Sequence, residues 1–125
     1  MPERLCWALL ALVHAVPAIA AFSPSLISRL YAIERGAPAF PLLQHRAALF
    51  GVIFIVCLWA MADPAVRRLA TVAAAVSMGS FLLLYVGAGA PPNLRAIAIA
   101  DAVGLVPLAY AGWRAFSISP AVPTM

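Results

Sequence analysis

The sequence has no lysine, and it has little charge of either sign. Eight arginines and four acidic residues, 10% of 125 residues, are all its formal charge apart from two histidines. A soluble domain is about 25% charged, because long charged side chains cover the surface that a small domain cannot bury. The shortage argues against a water-soluble monomer. It also argues against disorder, which needs low hydrophobicity and high charge. The two cysteines, Cys6 and Cys57, make no disulfide framework. The arginines come in ones and twos, so no nucleic-acid partner is expected. The phosphate-binding loop G-x-x-x-x-G-K-[ST], the dinucleotide fingerprint G-x-G-x-x-G and the hydrolase elbow G-x-S-x-G are all missing.

What is present is apolar: 66% of the chain is hydrophobic. Four runs, residues 5–22, 41–62, 69–87 and 94–113, are each near the length of about 20 residues that crosses a bilayer as a helix. Turn chemistry separates them, as Asp63-Pro64 and as the sequence GAGAPPN at 87–93. The fold expected is all-α, a single integral membrane four-helix up-down bundle. The linker at 24–35 reads as a short amphipathic surface helix. Ser23 can cap it, Pro24 suits its first position, and Gly36 and Pro38 would end it. Ile27, Leu30 and Tyr31 share one face of it. An alternative reading of the start is a cleaved signal peptide, from the pattern Ala18-Ile19-Ala20. Ala96, Ala100 and Gly104 recur every four residues, as do Ala47 and Gly51, and Ala75 and Gly79. Such spacing lets helices approach closely in lipid. Trp59 and Trp113 suit an interfacial belt.

The ionisable groups inside the runs carry the functional argument. Helical rise puts His14, Arg46 and Asp101, on three different helices, at one level near the surface helix. A lone charge there costs about 2.5–3.5 kcal/mol on insertion scales. We therefore expect an Arg46–Asp101 ion pair inside the bundle, with Gln44, His45 or His14 completing its hydrogen bonds. Arg95, near a helix start, can snorkel to the surface and is the alternative partner. His14, Gln44, His45, Arg46, Arg95 and Asp101 form the candidate polar cluster. It is read either as internal glue or as a pocket for a headgroup, a quinone or a small substrate. Two histidines on different helices can ligate a haem. However, His45 and Arg46 lie about 100° apart on one helix, so both cannot face one small space. The cysteines and histidines differ too much in depth for a zinc site. No metal and no cofactor are expected, with a quinone left open.

The stretch Gln44-His45-Arg46-Ala47-Ala48-Leu49-Phe50-Gly51 resembles the H-R-A-x-L-F-G segment of a family of small four-helix bacterial membrane proteins. Asn93-Leu94-Arg95 and Ala100-Asp101-Ala102-Val103-Gly104 resemble that family's last helix. The family is similar to DoxX-like proteins, and the resemblance implies a four-helix bundle in the bacterial inner membrane. It adds weight to His45, Arg46, Arg95 and Asp101 as a set. The name phosphopantetheine adenylyltransferase, often given to such proteins, finds no support here. The chain lacks a T-x-G-H-x-x-H motif, lysine and any parallel-sheet pattern. The leading expectation is a non-enzymatic component that binds membrane lipid, a quinone or a partner subunit. A quinone-linked redox enzyme or subunit is the alternative. A transporter or channel component is another, and would require a homo-oligomer. The pair Arg67-Arg68, in a short loop, favours cytoplasmic termini.

Overall fold

The computed structural model describes residues 1–118. Among these are five α-helices and no strand. They are α1 (Pro2–Ile19), α2 (Pro24–Tyr31), α3 (Phe40–Ala62), α4 (Arg67–Gly87) and α5 (Arg95–Ser117). Single 3-10 turns at Ala20–Phe22, Pro64–Val66 and Pro92–Leu94 extend α1 and lead into α4 and α5. The fold class is the one expected. With these turns, four of the helices are long and apolar enough to cross a membrane, and α2 is the short linker helix. Leu5, Leu12, Val52, Ile55, Val76, Leu83 and Val106 all point outward and are more than half exposed. So large an apolar surface suits lipid rather than water.

The ends of the helices follow local chemistry. Helix α1 begins at Pro2, earlier than the apolar run, because proline is favourable where the N–H has no helical partner. Helix α5 continues to Ser117, beyond the expected 113. Helix α2 corrects the expectation in the other direction. It stops at Tyr31, not at 35, because Ala32 turns left-handed at φ 51°. Its amide closes the last turn on the Ser28 carbonyl. Gly36 and Pro38 lie in the following turns rather than ending the helix. The start is as read: the Ser23 hydroxyl accepts from the Leu26 amide at 3.4 Å.

Packing sets the order of the bundle. Helix α1 packs most extensively on α3 and also on α5, and α5 packs on α4. The sequence around the bundle is therefore α3–α1–α5–α4, and the closing seam between α3 and α4 has few contacts. The core around α1 contains Trp7, Leu10, Cys57, Met78 and Leu108. A second cluster of Ala20, Ile27, Phe40 and Ala47 seats α2 on α3.

The small-residue spacing is used only in part. Gly104 is buried against α4, where an added Cβ would come within 2.4 Å of the end of Met78. Gly112 was not among the expected positions, yet a Cβ there would come within 2.7 Å of Thr71 Cγ2. Ala75, Ala96 and Ala100 are exposed instead, and nothing crowds Gly79.

Candidate functional site

A groove runs down the open α3–α4 seam, with a volume of about 590 Å³. That lies within the range of about 300–1,000 Å³ typical of small-molecule pockets. Its α4 wall extends from Leu69 to Leu84, about 22 Å at 1.5 Å per residue. Most of the wall is aliphatic: Leu49, Val52 and Ile53 from α3 face Leu69, Val72 and Val76 from α4. Its polar members, Arg46, Ser77 and Ser80, lie around Phe50 and Phe81 toward the α2 end. The groove is thus amphiphilic along its length.

Arg46 is half-buried at that end. Its guanidinium lies 5.3 Å from the Phe50 ring centre and 5.2 Å from that of Phe81. Contacts of this kind stabilise a cation by about 0.5–2 kcal/mol, more where water is excluded. Among the described residues the N–H groups of Arg46 meet no anion within 4 Å.

The expected Arg46–Asp101 ion pair is not formed. Among the described residues the ion pairs within 4 Å are Glu3–Arg67 and Glu3–Arg114, both at the other end of the bundle. The reason lies in the packing order. Helices α3 and α5 are separated by α1 on one side and by the groove and α4 on the other. Arg46 is turned outward onto Phe81 of α4, while Asp101 is turned inward and is 6% exposed. Arg46 is six residues after Phe40 and Asp101 six after Arg95, about 9 Å along each helix.

Tyr31 of α2 stands in the field of both groups. Burial pushes its phenol above the usual tyrosine range, the charge of Arg46 pulls it down, and that of Asp101 pushes it up. The surface helix therefore brings a third polar group to this end.

The other cluster residues are dispersed. Gln44 donates from Nε2 to the Ala21 carbonyl at 3.2 Å, tying α3 to the turn after α1. His45 is exposed, and so is Arg95 at its helix start. His14 is 1% exposed in the core. Neither Gln44 nor a histidine completes the hydrogen bonds of Asp101.

His14 shows a contact that sequence reading missed. Its Nδ1 lies 2.8 Å from the Leu10 carbonyl. A carbonyl can only accept, so Nδ1 carries the proton and Nε2 of the neutral ring is an acceptor. The Ser77 hydroxyl then donates to Nε2 at 3.4 Å. Ser77 lines the groove, so this bond links the α1 core to its wall. Phe50, whose ring lies 5.8 Å from His14 and which also meets Arg46, connects the two in the same way.

Glu3 was missed as well. Its carboxylate accepts from Arg67 and, at 2.7 Å, from Arg114 Nε, joining α1, α4 and α5. It is the acid at the start of α1, and three helix ends that carry arginines meet there. Among the described residues, no group of three or more His, Cys, Asp or Glu side chains is placed to hold a metal.

Comparison of the chain with protein-family models, with curated proteins and with solved structures gives no match.

Proposed function

We propose that this is a non-enzymatic multi-pass component of the bacterial inner membrane that holds a membrane lipid in the α3–α4 groove. One observation carries the reading. The groove opens along a membrane-spanning seam, is apolar for most of its length and has near one end an arginine without an anionic partner among the described residues. A lipid tail matches the aliphatic wall, and an anionic head matches Arg46. The resemblance to DoxX-like small membrane proteins accords with the setting.

Orientation follows from the arginines. Arg4, Arg67, Arg68 and Arg114 belong to the end with the termini, and Arg29, Arg35 and Arg95 to the other. Arg46 lies within a span and drops out of the count. The excess supports cytoplasmic termini.

Gentle purification followed by lipid extraction and mass spectrometry tests the function. A stoichiometric phospholipid is expected, reduced about tenfold or more by Arg46→Gln, since a hydrogen bond to a charged group contributes about 1.5–3 kcal/mol. A protein that purifies without one, or a variant that keeps it, overturns the reading. A stoichiometric quinone would point to redox chemistry instead, and a co-purifying protein to a subunit role.

A further inference from the structure

The polar end of the groove lies well inside the span. Arg46 on one wall is six residues after the start of α3, and Ser80 on the other is seven before the end of α4. Both are therefore about 9–10 Å below the helix ends, at 1.5 Å per residue. The Ser80 hydroxyl donates to the Ser77 carbonyl at 3.4 Å, a long bond that it can exchange for a phosphate oxygen. From Ser80 the slot continues along α4 to Leu69, eleven residues or about 16 Å farther. One leaflet of hydrocarbon is about 15 Å thick, so the far end of the slot lies beyond the midplane. A methylene takes about the space of a water molecule in its liquid, about 30 Å³. The groove's 590 Å³ therefore holds about twenty such groups, which is one lipid chain and not two.

Resting on the groove reading, we infer that the occupant is a single-chain phospholipid, its phosphate on Arg46 and Ser80 and its one acyl chain in the slot down to Leu69. Phosphate presents oxygens in several directions and can meet a donor on each wall. A fatty acid has two oxygens, and one guanidinium fork takes both. In a two-chain lipid the second chain finds no room beside the first. It would leave through the open seam about 10 Å below the level at which lipid chains normally begin. From there it would run past the midplane among the chains of the opposite leaflet. A single-chain phospholipid has no second chain to displace.

The full-length protein is placed in nanodiscs of a two-chain glycerol phospholipid. The single-chain form with the same headgroup and chain, and the free fatty acid, are added as equal minor components. Native mass spectrometry reads what stays bound when the disc is stripped away. One single-chain phospholipid per protein is expected, enriched about tenfold or more over its share of the disc. Arg46→Gln should lower that enrichment about tenfold, and Ser80→Ala by less. Ala73→Leu, which fills the slot from the α4 wall, should remove it. Val76→Phe, at an exposed position on the same wall, should do so too. Circular-dichroism melts matching the wild type exclude misfolding as the cause. Bound two-chain lipid, bound fatty acid, or an enrichment that survives both slot-filling variants overturns the inference. If a bound two-chain lipid is lost in Arg46→Gln, the groove reading still stands. If the wild type retains no lipid and Arg46→Gln changes nothing, the groove reading fails and the inference fails with it.

Discussion

The two ends of the bundle treat charge in opposite ways. At the end with the termini, Arg67 contacts Glu3 and donates to the Ala60 carbonyl at 3.0 Å. Arg68 donates to the carbonyls of Ala115 at 3.0 Å and Ile118 at 2.8 Å, where α5 ends. Arg114 completes the contact with Glu3. Arg114 lies in the last turn of α5 and Glu3 in the first turn of α1, where helix dipoles favour them, whereas Arg67 and Arg68 begin α4 against its dipole and are offset by their bonds to the last carbonyls of α3 and α5. At the other end Arg46 and Asp101, each about 9 Å along its helix, form no ion pair with one another. The first end shows how this protein uses charge to fix helices. The second lacks that arrangement: Arg46 meets α4 only through the ring of Phe81, and Asp101 has no ion-pair partner among the described residues. That contrast is the reason to look for a ligand at one end and not at the other.

The largest effect expected tests whether stability resides near the paired end. Trp7 is fully buried in the core around α1. Trp7→Ala should cost about 3–5 kcal/mol, measured as unfolding in a detergent titration. Its indole N–H has no acceptor among the described residues. Trp7→Phe removes that orphan donor along with some volume, so it should cost clearly less than Trp7→Ala. Equal losses would mean that the N–H is satisfied in the membrane. A loss below about 1 kcal/mol for Trp7→Ala would show that this core is not where the bundle is held.

Glu3→Gln comes next and breaks the pairing itself. The side chain of Arg67 is 12% exposed, and its contact with the carboxylate is worth about 2 kcal/mol. The side chain of Arg114 is 41% exposed, and solvent screens it. Arg67→Gln should therefore destabilise more than Arg114→Gln in the same unfolding assay. The reverse order would mean that the clamp works through its open partner, and the comparison between the ends would need redrawing.

The comparison also explains what could be read in advance. The four spans were legible because crossing a bilayer demands length and apolar composition, and both are local properties of residues 5–22, 41–62, 69–87 and 94–113. The position of Arg46 and of Asp101 along its own helix was legible because helical rise is constant. The direction in which each points was not. In a soluble bundle one polar face shows which way a helix turns, but here lipid is as apolar as the core, so all sides look alike. The lateral order α3–α1–α5–α4, and with it the open seam, depends on packing details such as Gly104 against Met78 and Gly112 against Thr71. The end of α2 was misread for a related reason. Ala32 adopts its left-handed turn without the glycine that normally marks one, while Gly36 and Pro38 drew attention farther along.

The smallest effect expected is that of Ser77→Ala, and it bears on where the boundary between the two ends lies. Ser77 is on the groove wall but hydrogen-bonds to His14 in the core, at 3.4 Å and thus near the long limit of such bonds. Interhelical side-chain hydrogen bonds in membranes average about 0.6 kcal/mol. Ser77→Ala should cost about that much stability, far less than Glu3→Gln, because His14 keeps its bond to Leu10. A loss matching that of Glu3→Gln would make His14–Ser77 a structural tie like those at the paired end. The region that holds the helices would then reach up to the level of the groove. With the small loss expected, the wall near Arg46 is only loosely tied to the core, which suits a surface completed by a bound lipid.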